Sequence, residues 1–595
     1  MITEIEYNSV SKWLRSQALN KAKISSENKG FMSNTSTYDP ANPLIVQGDR
    51  TLLLEVQSPR FTAAREAIGP FAELEKSPEY IHTYRITPLS LWNAAAAGLP
   101  AATMVERLRE FAKYPVPQNV IADVHELAGR WGRLRLESQN DELLLIADEQ
   151  ALLIELSRRD EIRPLLGEPR GWGMVSVPGG NRGLLKQALI NAGWPAEDLA
   201  GYVEGESFPI GLRLGEFNVR DYQREAAEAF FAGGDVRGGS GVVVLPPGAG
   251  KTVVGLAAMA LVGQSTLILT TNRTSVSQWH RELLKKTNVQ EHQIAEYTGD
   301  TKNIGPVTLS TYQMLTHRPE KNGELPHLRL FSEREWGLIV YDEVHTLPAP
   351  VFRATSAIQA RRRLGLTATL VREDGREADV FSLIGPKKYD VPWRDLEQRG
   401  WIAEAFCTEV RVSLPEDERM AYATAIPRDM YRIAAENSRK LPLVRAIMQQ
   451  HAGARTLVIG QYIDQLKFIS DNLAAPLITG KTPQKERERL FEAFRQGDEQ
   501  LLVLSKVGNF ALDLPDADLL IQVSGTFGSR QEEAQRLGRI LRPKDDQRSA
   551  HFYTIVTRDT QELDFAHNRQ LFLAEQGYSY HILDADELTN TEPRT

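Results

Sequence analysis

The chain has 595 residues, 42% of them hydrophobic and 25% charged, with a formal net charge of −8. At roughly 100–200 residues per domain this length predicts about three to five domains, with ample apolar material for packed cores. The acidic balance excludes a basic coat protein, so any nucleic-acid contact has to come from local basic patches. A single cysteine, Cys407, excludes an intrachain disulfide and a cysteine-based zinc or iron–sulfur site.

Residues 1–42 are polar and serine-rich and read as a partly disordered tail. They lack a basic stretch followed by an apolar core, so no signal peptide is expected. The longest apolar run, 252–263, is too short to span a bilayer. A cytoplasmic, nucleoid-associated protein with no membrane partner is the expectation. Residues 43–137 read as a small winged-helix-like domain. Val46 and residues 52–56 suggest strands. Thr87-Pro88 starts a helix that Gly98 ends, and Thr103 with Glu106 makes a capping-box pattern ahead of Val105, Leu108 and Phe111. A helical adaptor without a nucleic-acid role fits this stretch equally well. Residues 138–208 read as a small α/β unit, with strands at 143–146 and 152–156, a helix at 183–192 and glycine-rich turns at Gly171-Trp172-Gly173 and Gly179-Gly180.

From about 209 the texture changes. Short apolar runs at 242–245, 267–269, 307–309, 338–341 and 364–366 alternate with helical segments. The alternation resumes at 457–459, 501–504, 519–523 and 552–556. Such runs, separated by helices, predict parallel sheets covered on both faces. The fold class is therefore α/β, with two parallel-sheet lobes at 209–400 and 401–595. The second opens with a charge-rich helical insertion near 414–450.

The first strand of the first lobe runs into Pro246-Pro247-Gly248-Ala249-Gly250-Lys251-Thr252 and then a helix. Glycines let backbone N–H groups turn toward a phosphate. Lys251 reaches the β/γ-phosphates, Thr252 suits Mg²⁺, and the helix N-terminus adds its dipole. Pro247, Gly248, Ala249 and Gly250 form the cradle, and Leu245 replaces the usual first glycine. About ninety residues on, a strand ends in Asp342-Glu343-Val344-His345. Asp342 is placed to hold Mg²⁺ through water, and Glu343 to act as general base on the attacking water. In the second lobe Gln535-Arg536-Leu537-Gly538-Arg539 continues to Arg542. Arg539 and Arg542 share a helix face and suit arginine fingers. Together these imply ATP and Mg²⁺ as cofactors.

These segments resemble the XPB family of superfamily 2 DNA helicases. The match runs through Asp342–Ala349 in order, Leu364-Gly365-Leu366-Thr367-Ala368-Thr369-Leu370-Val371-Arg372-Glu373-Asp374, Ser505-Lys506-Val507-Gly508, Asp513-Leu514-Pro515, Gly528-Ser529-Arg530 and Gln535 to Arg542, covering about 211–582. The resemblance implies two RecA-like lobes, an ATP-dependent DNA helicase or translocase travelling 3′→5′, and a role in DNA repair of the nucleotide-excision type or in DNA opening. It implies that Gln223 reads adenine, and that Arg220, Asp513 and Gln535 belong to the ATP site. Thr367 to Thr369 would link hydrolysis to movement, and Arg372-Glu373-Asp374 would serve strand opening. It places 43–137 like the N-terminal domain of bacterial members, 138–208 like a damage-recognition domain, and 414–450 like a short thumb.

Candidate DNA contacts follow strand ends: Thr271 and Arg273, Thr311 and Tyr312, Ser505 and Lys506. Small hydroxyls and a few cations suit phosphate contacts without a sequence code. The same hydroxyls suit helix caps. Trp279 reads as core, and Arg361-Arg362-Arg363 as a solvated basic turn. An RNA helicase, a duplex translocase that separates no strands and a non-catalytic scaffold are the competing readings. Residues 1–208 are the expected docking surface for a nuclease or repair-complex partner.

Overall fold

The computed structural model describes residues 38–590, apart from 77–79, 216, 247, 319–324, 349, 352–354, 357, 359–360, 369–376, 392, 402, 506–516, 526–548 and 567–579. Strands β1 (Leu44–Val46), β2 (Thr51–Glu55), β3 (Glu73–Lys76) and β4 (Ile81–Arg85) form an antiparallel sheet in the order β1-β2-β4-β3. Helices Phe61–Ile68, Pro88–Ala96, Ala101–Phe111 and Gln118–Ala128 close one core with it, from Leu44 to Ala128. Thr87 caps the second helix as expected: its hydroxyl accepts from Ser90 N at 3.0 Å, and Ser90 Oγ accepts from Thr87 N at 3.0 Å. The Thr103–Glu106 capping box is corrected. That helix starts at Ala101 behind Pro100, so Thr103 lies inside its first turn while Val105, Leu108 and Phe111 face the core.

A second sheet joins β5 (Leu134–Gln139), β6 (Glu142–Ala147), β7 (Pro169–Gly171), β8 (Met174–Ser176) and β9 (Ala196–Asp198) in the order β7-β8-β6-β5-β9. Residues 152–156, expected as a strand, lie in the helix Gln150–Ser157. Leu152, Leu153 and Leu156 are buried while Ile154 is exposed, which is a helical face rather than an alternating one.

The two lobes are parallel sheets, as the alternating runs predict. The first holds β10 (Ser240–Val244), β11 (Thr266–Thr270), β12 (Ile294–Tyr297), β13 (Val307–Thr311), β14 (Leu338–Asp342), β15 (Arg362–Thr367) and β16 (Lys387–Asp390). The second holds β17 (Ala405–Val412), β18 (Thr456–Ile459), β19 (Leu477–Ile478), β20 (Leu501–Leu504), β21 (Leu519–Gln522), β22 (Ala550–Thr557) and β23 (Tyr580–Asp584). Their orders are β12-β13-β11-β14-β15-β10-β16 and β19-β20-β18-β21-β22-β17-β23. Counted from its own first strand, each lobe runs 3-4-2-5-6-1-7, so the second repeats the winding of the first. The central strands are buried along their length, which is why they read as continuous apolar runs. Residues 416–450 form three helices, Glu416–Thr424, Pro427–Ala435 and Lys440–Gln450. Among the described residues no helix is long and apolar enough to cross a membrane.

The accessory units dock on the first lobe. Phe381, from the helix Glu377–Leu383, inserts between Trp92 and Trp131, with ring centroids 6.5 and 5.7 Å away, and against Ile190. Asn93 Oδ1 accepts from Lys387 N at 3.1 Å. Arg182 and Lys186 both bind Asp198, at 2.7 and 2.9 Å, in the same buried joint. The basic triplet is corrected here: Arg363 is fully buried, with Nε donating to Leu383 O at 2.8 Å, and Arg362 lies over the Tyr202 ring. These arginines are part of the joint rather than a solvated turn, because 202–204 covers them.

Two stability predictions follow from burial. Lys440 Nζ meets both Glu562 oxygens at 2.8 Å and also donates to Val523 O at 2.8 Å. Lys440→Met strands a buried carboxylate and is expected to cost about 3–5 kcal/mol in urea unfolding. A loss under about 1 kcal/mol would contradict this. His82 packs edge-on against Phe61, and burial, with Arg65 nearby, lowers its pKa from 6.5 to about 4. The unfolded chain binds that proton first, so stability is lost as pH falls from about 6.5 to about 4, by about 3 kcal/mol. His82→Leu should flatten that part of the stability–pH curve, and an unchanged curve would refute the assignment.

Candidate nucleotide site and the strand-end rim

Strand β10 delivers the phosphate-loop segment to the C-terminal edge of its sheet, followed by the helix Lys251–Val262. Gly248 and Gly250 have φ of 81° and 83°, the left-handed region where glycine is at home. A Cβ on Gly250 would sit 2.4 Å from Gln223 Nε2, so the loop can close on its neighbour only with glycine there. Ala249 is buried, and its carbonyl accepts from Tyr222 OH at 2.7 Å and from Gln223 Nε2 at 2.8 Å. Gln223 Oε1 in turn accepts from Arg220 N at 3.0 Å, at the start of the helix Asp221–Phe231. Arg220 donates to Trp401 O at 3.2 Å, and its guanidinium lies 4.8 Å from the centre of the Trp401 ring. The Arg220–Gln223 segment thus braces the phosphate loop and touches the segment that enters the second lobe.

Strand β14 ends at Asp342, and Glu343 follows with φ 51°. A left-handed glutamate costs about 1–3 kcal/mol of strain and is held only where its surroundings fix it. Lys251 Nζ lies 3.4 Å from Glu343 Oε1, and His345 Nδ1 lies 3.5 Å from Oε2. His345 Nδ1 also lies 2.6 Å from Thr367 Oγ1 at the end of β15. Asp342 Oδ2 accepts from Trp279 Nε1 at 2.9 Å, and its carbonyl from Tyr312 OH at 2.8 Å.

The two carboxyls titrate in opposite directions. Burial, then the charge of Glu343, raises Asp342 above the carboxylate range. Burial opposes ionisation of Glu343 as well, but Lys251 and His345 outweigh it and hold Glu343 below its ordinary value. Lys251 and His345 thus favour the charged form of Glu343, the form a general base needs.

The residues present fit a nucleotide with Mg²⁺. Gly248 and Gly250 leave a cradle free of side chains, Lys251 is half-buried beside it, and Thr252 begins the helix with it. Thr252 and Asp342 are the oxygen donors that suit a hard cation sharing phosphate oxygens.

The rim differs from expectation at several points. Asn272, not Thr271, caps the helix Arg273–Lys286, accepting from Ser275 N at 3.0 Å. Thr271 is half-buried. Arg273 is exposed and paired with Asp300. Thr311 is buried and caps the helix Tyr312–Thr316, and Tyr312 is buried with its hydroxyl on Asp342. Both lie at the end of β13, but Thr311 is turned to its own helix and Tyr312 to Asp342, so neither side chain is open to solvent. Ser505 is also buried, and Thr367 is fully so. Pro247, Thr369, Arg372, Glu373, Asp374, Lys506, Asp513, Gln535, Arg539 and Arg542 lie outside the described residues.

Sequence reasoning missed Tyr222, Trp279 and His345 as members of the site. Trp279 is core, as expected, and packs so closely on the phosphate-loop helix that a Cβ on Gly255 would lie 2.4 Å from its ring. Nothing in the local pattern around Trp279 shows that its ring N–H reaches a carboxylate 63 residues away.

Family models match most of the chain. An ERCC3/RAD25/XPB C-terminal helicase model matches residues 396–594, a type III restriction enzyme res-subunit model matches 216–372, and a helicase conserved C-terminal domain model matches 44–170. A DNA 3′-5′ helicase XPB of Kineococcus radiotolerans is 57% identical over 93% of this chain and 98% of its own. The protein of that name from Mycobacterium tuberculosis is 56% identical over 92% and 98%. A putative DNA 3′-5′ helicase Rad25 of Haloarcula marismortui is 35% identical over 89% and 82%. Identity of this degree along nearly the full length of both bacterial relatives, on two parallel-sheet lobes with an intact phosphate loop and Asp-Glu pair, shows that the chain belongs to the XPB family of DNA helicases.

Proposed function

We propose that the protein is an ATP-driven DNA helicase that travels 3′→5′ and works in DNA repair or DNA opening. The observation that carries this reading is the chain of contacts Lys251–Glu343–His345–Thr367, which joins the nucleotide site to the strand end that begins the Thr367–Asp374 segment. Lys251 binds the β/γ-phosphates. Mg²⁺, when bound, neutralises phosphate charge, and Thr252 with Asp342 holds it. Glu343, ionised, accepts a proton from the attacking water. The proton and charge balance at Glu343 is felt by His345, and through it by Thr367. Arg539 and Arg542 complete the site from the second lobe as arginine fingers, a contribution of roughly 10³–10⁵ in related NTPases. Gln223 selects adenine, and this requires it to leave the Ala249 carbonyl or share its amide when the base enters.

A second reading is translocation on duplex DNA without strand separation; relatives named general transcription and DNA repair factor IIH helicase/translocase subunits, 33% identical in Encephalitozoon cuniculi and 31% in Saccharomyces cerevisiae, carry both helicase and translocase in their names. Residues 1–208 are the proposed docking surface for a nuclease or repair-complex partner. The faces around Phe381 and Arg363 are already used by the first lobe, so a partner has to take the outer faces.

Steady-state ATPase measured with single-stranded DNA, duplex DNA and RNA tests the reading. DNA is expected to stimulate strongly and RNA weakly, and equal stimulation by RNA would replace DNA as the track. Glu343→Gln is expected to lower the DNA-stimulated kcat by about 10²–10⁴ while DNA affinity stays near wild type. A Glu343→Gln protein that retains its stimulated rate would sink the mechanism.

A further inference from the structure

Asp342 is gripped from two directions, and both grips come from elements that start on the strand-end rim. Trp279 sits on the helix Arg273–Lys286, which follows β11 and carries Arg273 in its first turn, exposed. Tyr312 opens the helix that follows β13, directly after its cap, Thr311. Trp279 donates to a side-chain oxygen of Asp342 and Tyr312 to its main-chain oxygen. Strands β13, β11 and β14 are consecutive neighbours in the sheet, with β11 paired to both others, so the two rim elements and Asp342 leave one continuous stretch of sheet edge.

We propose that Trp279 and Tyr312 are positioning residues that transmit the state of the DNA-facing rim to Asp342. This rests on the DNA-motor reading above. Neither side chain is free to make the DNA contact itself: Trp279 is 1% exposed and Tyr312 3%. Both are otherwise packed in apolar surroundings, and each spends its one polar hydrogen on the same residue. Asp342 therefore has its Oδ2 and its carbonyl fixed by the rim, leaving Oδ1 for the metal side. A strand of DNA that shifts the start of either helix by a few tenths of an ångström has a direct path to that carboxylate. Gly255 is part of the arrangement, since only glycine lets the Trp279 ring lie close enough on the phosphate-loop helix. The path is separate from the His345–Thr367 contact, which leaves Glu343 toward β15.

The test uses full-length protein carrying Tyr312→Phe, Trp279→Phe and both together. Tyr312→Phe removes one hydroxyl and leaves the ring. Trp279→Phe also opens space, so a Trp279→Phe/Gly255→Ala variant refills part of it and separates packing from the lost N–H. Three quantities are read: the ratio of DNA-saturated to basal kcat, the Kd for DNA without nucleotide, and the change in that Kd on adding a non-hydrolysable ATP analogue with Mg²⁺. The double variant is expected to lose about tenfold in the kcat ratio, equivalent to about 1.4 kcal/mol. Its DNA Kd without nucleotide should stay within about twofold of wild type, and by reciprocity of coupling the analogue should no longer shift that Kd. A kcat ratio and a nucleotide-induced Kd shift that both survive in the double variant would overturn the proposal, as would equal falls in basal and stimulated rates. A wild-type ATPase that DNA does not stimulate would overturn the motor reading first, and the link with it.

Discussion

Two adjacent carboxylates share the end of one buried strand, and most of the first lobe is arranged around that constraint. An uncompensated buried charge is too costly to keep, yet a nucleotide site needs oxygen donors at this edge. Asp342 and Glu343 are therefore given different neighbours. Glu343 turns into a left-handed conformation that points it at Lys251 and His345. Asp342 stays in line with the strand and takes neutral donors, the Trp279 ring N–H and the Tyr312 hydroxyl. The two carboxyls thus take different hydrogen-bonding and ion-pair partners although they are adjacent in the chain. Small residues follow from the same crowding: Gly250 because Gln223 fills the space its Cβ would take, and Gly255 because Trp279 does.

The identical winding of the two lobes places the second sheet's C-terminal edge in the same relation to its own helices as the first. The second lobe holds its edge by different means. Lys440, Gln465 and Tyr431 fasten the carbonyls of Val523 and Gly525, just past the end of β21, and the Lys440–Glu562 pair is almost entirely out of water. A buried ion pair is weak as a source of net stability but strong as a constraint, since breaking either half leaves a charge stranded. It suits a strand exit that has to be held in one place.

How much of this was legible in the sequence depended on the range of the interaction. The lobes, their strands and the nucleotide loop were readable because continuous apolar runs and a glycine-rich turn are local signals of burial and of φ above zero. Thr87 as a helix cap was readable for the same reason. The segment 152–156 reads as a strand and folds as part of the helix Gln150–Ser157, since four apolar residues in five carry too little periodicity to separate a helix from a strand. Thr311 and Tyr312 were placed at the rim by their position after a strand. Thr311 does end β13 and Tyr312 follows it, but the direction of the Tyr312 side chain depends on Asp342, 30 residues on. Trp279, Tyr222 and His345 were missed because each acts through a partner that only the fold brings near.

The same distinction limits what a net charge of −8 says about any one patch of the surface. Net charge counts every cation equally, but cations committed to structure contribute little to an external field. Arg363 is fully buried, Arg182 and Lys186 are tied to Asp198 in the joint between accessory units and first lobe, and Lys440 is consumed by Glu562. Arg220 lies on Trp401 and in contact with its carbonyl. A local field is set by the exposed remainder, such as Arg273, whose partner Asp300 is itself exposed. An exposed pair of this kind is worth little, so a phosphate can replace Asp300 at small cost. The attraction that such a cation offers an anion is local, and it forms and releases without a high standing charge on the whole chain.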